Sequence, residues 1–460
     1  MTYPVGATAP GPWQIVTERQ TGDRDMEVAS FGVPFWLDLK RPRFPQLEQN
    51  LTTGAVVIGS GIAGLKIARR LTRAGVDTVV LEAGQVGDGA SARNQGSINQ
   101  GPNMTYAGCI ERHSRKVARA LWSLGLENHR MIREQINEYE IDCDYQVDGM
   151  TSLARTDYPG WEQSASVYQS DADLLMEDGF DVTFLDETEA REAGGSPVYA
   201  AGLRYNTDAQ LHSGKYVLQL AQGIARSSHV ALFEAATVQS IGSDGCNPVV
   251  QTDRFTIHAE RVFLSTNALI PRFVPQLAGA MRAERGQVIV TEPLETRPCL
   301  GSFGTQMAWW REIIEPDGRF RLLFGGGRER DEPDSLFPQF VDGRPNPLLE
   351  TEGFSPSPAH QQRLDTQLAL LFPHLAGACV THRWGGLQSF TADDCPVTGL
   401  LDPARKIYGM GGFCGRGNCH SDVMADYVVS TAIGVRTELS DEQCSLMECL
   451  TKAQRPSAVW

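Results

Sequence analysis

An α/β fold is predicted, and three observations predict it. From Ala55 an apolar run, AVVIG, enters a glycine turn, an amphipathic stretch, IAGLKIARRLTRAG, and a second apolar run, TVVLEAG, which together read as a β-α-β unit. Between residues 107 and 140 apolar side chains recur at three- and four-residue spacing, as in VARALWSLGLENHRMIREQINEY, and predict helix. Short alternating runs follow, GQVIVTEPL, QMAWWREII and RFRLLFGGG, whose period of two predicts antiparallel strands. Helical spacing returns at 358–372 and 421–433. Ahead of all this, residues 1–50 are rich in Pro, Gly and polar side chains without a sustained period, and read as an irregular lead segment with a few aromatic anchors.

At 460 residues, 41% hydrophobic and 21% charged, the chain is long enough for about two to three domains with a sizeable core. A formal net charge of -15 argues against nucleic acid or an anionic membrane as partner, since both select a basic face. No stretch approaches the roughly 20 apolar residues of a membrane span, and the N-terminal residues lack a basic region followed by an apolar one. A cytoplasmic protein is therefore expected. The ten cysteines are scattered without a Cys-x-x-Cys pair, which fits reduced thiols better than a disulfide framework.

The glycine turn carries chemistry. Gly59, Gly61 and Gly64 form G-x-G-x-x-G between a strand and a helix that opens with Ile62 and Ala63, and Glu82, followed by Ala83, closes the next strand about 20 residues later. Gly59 permits the tight turn, Gly61 lets a pyrophosphate approach the backbone, and Gly64 lets helix meet sheet. The helix N-terminus offers amide donors and a positive dipole, and Glu82 can accept from ribose hydroxyls. A second loop rich in glycine and serine follows, GQVGDGASARNQGSINQG, which a simple nicotinamide domain does not need at this place.

Within that loop, Gly89-Ala90-Ser91-x-Arg93-Asn94-x-Gly96 resembles the segment by which the D-amino-acid oxidase superfamily threads FAD past its ribityl chain and flavin ring. The likeness is greatest to the gamma-glutamylputrescine oxidase group. EYEIDCDYQVDGM, VFLSTNALIP, RGQVIVTEPL, RLLFGGG and FPHLAGACVTHRWGGL occur in family order, so the resemblance spans most of the chain. It implies an FAD-binding, Rossmann-like α/β domain built from 51–106, 200–275 and 380–460, interleaved with a mostly antiparallel β-sheet substrate domain built from 107–199 and 276–379. It further implies Arg93 and Asn94 close to the flavin ring and Val238 at a backbone contact to adenine. Thr266 and Asn267 would end the strand that returns to the pyrophosphate.

Near the C-terminus GGFCGRGNCH precedes a helix. The family carries Gly-(Phe/Tyr)-Ser-Gly-His-Gly here, with the helix N-terminus aimed at the flavin pyrimidine carbonyl, where it stabilises the charge that builds on N1–C2=O. Gly412, Phe413, Gly415 and Gly417 match, whereas Cys414 and Arg416 replace the family serine and histidine. Arg416 is expected to strengthen the positive field near reduced flavin. Cys414, Cys419 and His420 make a poor metal set, because four glycines in the loop suit backbone approach better than convergent ligands, and no metal is expected. For the substrate side, Trp309, Trp310 and Trp384 are candidate aromatic walls, and Arg311 and Arg328 candidate carboxylate forks.

The resemblance implies hydride transfer from a carbon bearing an amine to flavin N5, giving an imine that water hydrolyses, with little acid–base machinery. The substrate is then a small-molecule amine and the acceptor O2 or another electron acceptor. Gly386 stands where covalently flavinylated relatives have cysteine, so FAD is expected to be non-covalent. RGQVIVTEPLETRPC lacks the lysine with which sarcosine-type oxidases activate oxygen. A dehydrogenase with a different acceptor and a non-catalytic FAD-binding protein are the alternatives.

Overall fold

Two sheets divide the chain in the computed structural model, which describes residues 30–157, 161–305, 308–326, 336–341 and 343–450. At the centre of the first lies Leu51–Ile58, whose last four residues are buried. It runs parallel to Thr78–Leu81 on one side and Thr256–Leu264 on the other, and Val230–Phe233 extends the sheet beyond Thr78–Leu81. Burial of both faces explains why AVVI and TVVL are continuous apolar runs rather than alternating ones. Ile407–Gly411 joins the end of Thr256–Leu264 in parallel, with Val262 opposite Ile407, and Val397–Asp402 folds back on it. The hairpin of Val238–Ser243 and Pro248–Thr252 covers the other half of the same strand.

Because Leu51–Ile58, Thr256–Leu264 and Ile407–Gly411 are parallel, the helices that follow the first and last, Ile62–Arg73 and Gly417–Ile433, both begin at one edge of the sheet. A buried ion pair ties them together: Lys66 Nζ lies 2.5 Å from Asp422 and donates to Ser421 Oγ at 2.9 Å. Burial lowers the Lys66 ammonium below its ordinary pKa, against the pull of Asp422.

The second sheet has ten strands, and the three predicted antiparallel runs are among them as Arg282–Thr291, Ala308–Ile314 and Phe320–Gly326. Two domain boundaries shift. Tyr199–Tyr205 and Val380–Phe390, which the boundaries near 200 and 380 give to the nucleotide-binding part, pair instead within this sheet, the latter along nearly the whole of Arg282–Thr291. The predicted helix at 107–140 is two, Tyr106–Arg112 and Arg115–Tyr139, parted where Ser114 caps the second by accepting from Val117 N–H. It also packs on the other half of the molecule: Asn128 Nδ2 donates to the Asn418 carbonyl and Gln135 Nε2 to Asp422. Residues 1–29 of the lead segment lie outside the described residues. The rest of it is built into the body, with Ser30–Phe31 paired to Val380–Phe390 and buried Trp36 donating to the Asn94 carbonyl at 2.7 Å. Among the described residues no helix is long and apolar enough to cross a membrane.

Candidate active site

A cavity of about 630 Å³ opens where the two helix N-termini meet the second sheet. Its first wall is the glycine turn. Gly59 has φ of 98°, which its lack of a side chain permits, and a Cβ on Gly64 would sit 1.9 Å from the Gly59 carbonyl oxygen, so helix and strand touch only because residue 64 has none. Gly64 thus lies behind the cavity, while Gly59, Gly61, Ile62 and Ala63 line it. A Cβ on Gly61 would meet Ser91 Oγ at 2.8 Å, and that hydroxyl accepts from the first helical amide, Ile62 N–H, at 2.9 Å. Glu82 and Ala83 line the neighbouring wall. The Glu82 carboxylate accepts from Ser60 N–H, Ser60 Oγ and Gly84 N–H, which lower its pKa, but burial outweighs them and raises it above the ordinary carboxylate value.

The loop Gly89–Gly96 forms the second wall, with Gly89, Ala90, Ser91, Arg93, Asn94 and Gly96 all facing the cavity. It braces itself: Asn94 Nδ2 donates to the Ala90 and Ser91 carbonyls, and its Oδ1 accepts from Gly96 N–H and Ser213 Oγ. Arg93 is buried and held by carbonyls, Nε on Asp88 at 2.7 Å and Nη1 on Gly385 at 3.0 Å; burial lowers its pKa to about 10. Gly386, which also lines the cavity, packs here, since a Cβ on it would stand 3.2 Å from Arg93 Cβ.

Val238, Thr266 and Asn267 supply the third wall. Thr266 Oγ1 and Asn267 Oδ1 are buried without a protein hydrogen-bond partner, although both residues face the cavity. Buried polar atoms are almost always satisfied, so these two mark where a polar ligand contacts the protein.

The C-terminal loop closes the site. Phe413, Cys414, Gly415, Arg416 and Gly417 line it, and Arg416 is the N-cap of Gly417–Ile433. Gly412 has φ of 62° and turns the chain behind the lining. Cys414, in the left-handed region at φ 51°, points its thiol at Thr391 Oγ1 and the Gly412 carbonyl, both 3.3 Å away, and burial pushes that thiol up to about 12. Arg416 is half-buried and, among the described residues, forms no ion pair.

Three substrate-side expectations need correction. Trp310 does not reach the cavity: it is 0% exposed and stacks between Tyr199, Phe303 and Phe324, while its neighbour Trp309 lines the cavity. Arg311 is 5% exposed and spent on structure, donating from Nη1 to the Leu211 carbonyl at 2.9 Å with its guanidinium over the Trp36 ring. It supports the Gly96 turn from beneath rather than meeting a ligand. Trp384 is likewise buried, its indole N–H on the Arg93 carbonyl at 3.0 Å. Arg328 lies outside the described residues. Asn99 and Asn418, from the two glycine-rich loops, also line the cavity, as do Met104 and Tyr168, whose segments no spacing rule marks. Among the described residues no group of histidine, cysteine, aspartate or glutamate is placed to hold a metal ion.

A glycine-lined cradle between two helix N-termini, beneath an antiparallel roof and with orphaned polar atoms in its wall, defines a nucleotide-cofactor oxidoreductase. The residues fit FAD: glycines would admit the pyrophosphate, the Glu82 carboxylate could accept from ribose hydroxyls, and the loops leave space a side chain would fill. The chain belongs to the DAO family of FAD dependent oxidoreductases, whose model matches residues 55–431, and FAD is its cofactor. It is 28% identical over 390 residues to gamma-glutamylputrescine oxidoreductase of Escherichia coli K12, covering 81% of this chain and 82% of that protein. It is 27% identical over 410 residues to the probable oxidoreductase OrdL of Rhizobium meliloti, covering 87% of each. Among solved structures, glycine oxidase from Geobacillus kaustophilus superposes with a TM-score of 0.70 at 18% identity, covering 88% of this chain and all of that one. L-proline dehydrogenase from P. horikoshii gives a TM-score of 0.68 at 16% identity over the same shares.

Proposed function

We propose that this enzyme oxidises a C–N bond of a small-molecule amine or amino-acid derivative, with hydride transfer to flavin N5 and O2 as acceptor, giving H2O2. The observation that carries the reading is the composition of the cavity wall: of its described residues only Glu82, Arg93, Arg272 and Arg416 are charged. Glu82 is engaged with Ser60 and Gly84, and Arg93 with carbonyls, so the rest of the wall offers the aromatic face of Trp309 and the cations of Arg272 and Arg416. Hydride abstraction needs orientation and a dry site rather than a base in contact with the carbon, and this wall suits it. Relatives named for gamma-glutamylputrescine and glycine lend the substrate class.

Bound FAD supplies the two-electron acceptor chemistry. In this reading Gly59, Gly61, Ile62 and Ala63 hold the pyrophosphate at the helix N-terminus, and Glu82 and Ala83 the adenosine ribose. Val238 would meet adenine through its backbone, and at the phosphate side the Thr266 hydroxyl would donate, with Asn267 beside it. Gly89 to Gly96 would hold the ribityl chain and ring, with Arg93 and Asn94 beside it. Phe413, Gly415, Arg416 and Gly417 would present the second helix N-terminus to the pyrimidine edge, where a positive end would favour the reduced, negative state.

The test is anaerobic stopped-flow mixing of the yellow holoenzyme with polyamines, N-methyl amino acids and simple amino acids, followed by air. Bleaching by an amine and rapid reoxidation are expected. Bleaching with slow reoxidation would move the acceptor to a quinone or protein carrier, and no bleaching by any amine would sink the reading.

A further inference from the structure

Behind the cavity wall lies a buried acid that the hydride chemistry leaves unused. Ser97–Ile98 pairs antiparallel with Ala209–Gln210, Ile98 opposite Ala209, and this register sets Asn99 beside Asp208. Asp208 is 1% exposed. Its Oδ2 accepts from Asn99 Nδ2 at 3.2 Å and its Oδ1 from Gln100 N–H at 2.7 Å, and Asn99 itself lines the cavity. One side chain therefore separates the carboxyl from the cavity.

What faces Asp208 from the packed elements is unusual for a structural carboxylate. His129, on Arg115–Tyr139, is also 1% exposed; its Nε2 is 3.8 Å from Asp208 Oδ1, and its ring meets the backbone of Asn99. Gln100 Nε2, next in the chain to Asn99, is buried without a hydrogen-bond partner. Polar groups of this kind are satisfied by ordered water when the site is polar enough to hold it. Tyr205, Cys419 and the cation of Arg416 complete the titratable and charged surroundings of Asp208, and Arg133 and His420 face His129.

We propose that Asp208 accepts the proton that the substrate ammonium must lose before oxidation, through solvent beside Asn99. The proposal rests on the amine reading above. In the step, one N–H bond of R–NH3+ breaks, its electron pair stays on nitrogen as the lone pair of R–NH2, and the proton forms an O–H bond on Asp208. The neutral amine then loses hydride from the adjacent carbon to FAD. Burial, eased by Asn99, Gln100 and Arg416, pushes the Asp208 carboxyl up to about 8. It is thus protonated below that pH and able to accept above it. His129, held down to about 4 by burial and Arg133, stays neutral throughout.

The experiment is anaerobic reduction of the holoenzyme by an amine that bleaches it, at saturating and subsaturating concentration from pH 6 to 10. In the wild type the reduction rate constant is expected to rise with a midpoint near 8. Asp208→Asn should abolish that limb and slow reduction above it by about a hundredfold, with little change in KM, and Asp208→Glu should restore a limb at a shifted midpoint. An Asp208→Asn protein that keeps FAD and the wild-type profile makes the acid a brace for Asn99 and Gln100 only, and overturns the proposal. If that variant loses FAD, infrared titration of the wild type decides: a protonated carboxyl that ionises near pH 8 is expected, and its absence overturns the proposal. A wild type that no amine reduces fails the functional reading instead.

Discussion

Trp309 and Trp310 stand back to back across one strand, the first facing the cavity and the second sealed in the core against Tyr199, Phe303, Phe324 and Phe372. Alternation along Ala308–Ile314 makes this a strict choice, because side chains two apart share a face and neighbours never do. One of the pair serves packing and the other the ligand.

Trp310→Ala should therefore cost about 3 to 5 kcal/mol of stability, as for other large buried aromatics, while Trp309→Ala should cost far less and change amine KM. Urea unfolding and steady-state kinetics of the two variants check this. Equal loss of stability would mean that Trp309 is also core.

Gly61→Val should abolish FAD binding, since a side chain there collides with Ser91 Oγ and fills the space in front of the Ile62 amide. Cys109→Ser, buried far along the chain from the turn, should keep its flavin. Flavin absorbance after gel filtration is the readout, and a yellow Gly61→Val protein refutes the cradle.

Acid precipitation should release FAD into the supernatant. Gly386 offers no sulfur, and the thiol of Cys414, which does line the cavity, is turned to Thr391 and stays protonated far above neutral pH. Flavin retained on the pellet would overturn the non-covalent assignment.

Arg416→Gln should lower the flavin reduction potential by about 30 mV, which for two electrons corresponds to about 1.4 kcal/mol of lost stabilisation of the reduced state. Redox-dye titration measures it. An unchanged potential would place the guanidinium away from the pyrimidine edge.

Sarcosine and glycine should reduce the flavin poorly compared with a longer amine whose carboxylate lies far from the reacting carbon. In sarcosine-type relatives a lysine two residues past the last loop glycine pairs with the substrate carboxylate; here that position is Cys419, which is buried and accepts from Asn99 N–H at 3.2 Å. A missing contact of this kind costs roughly ten- to a hundredfold in affinity. Fast, saturable reduction by sarcosine would show that Arg416 or another group has taken the role.

The nucleotide end was legible because its constraints are local: Gly59, Gly61 and Gly64 answer to backbone geometry within one turn, and Glu82 to the next strand. Phe413 to Gly417 were readable for the same reason. The substrate end was not, because facing is decided by register across the sheet. Nothing in WWRE says which tryptophan points inward until Trp310 is paired with Phe324 and Phe303. Arg311 looked like a ligand fork because a buried arginine bound only by carbonyls and an indole has no sequence signature. Asp208 escaped notice for a like reason: its neighbour Asn99 is 109 residues away in the chain.

The tie between Lys66 and Ser421 joins residues 355 apart, so the last wall of the cradle is synthesised long after the first. At roughly 5 to 20 residues per second, the ribosome holds a half-built site for about 20 to 70 s. A cradle with both helix N-termini in place therefore exists only after Gly417–Ile433 has been made. Flavin then acts on the folded protein by mass action, raising its stability as RT ln(1 + [L]/Kd).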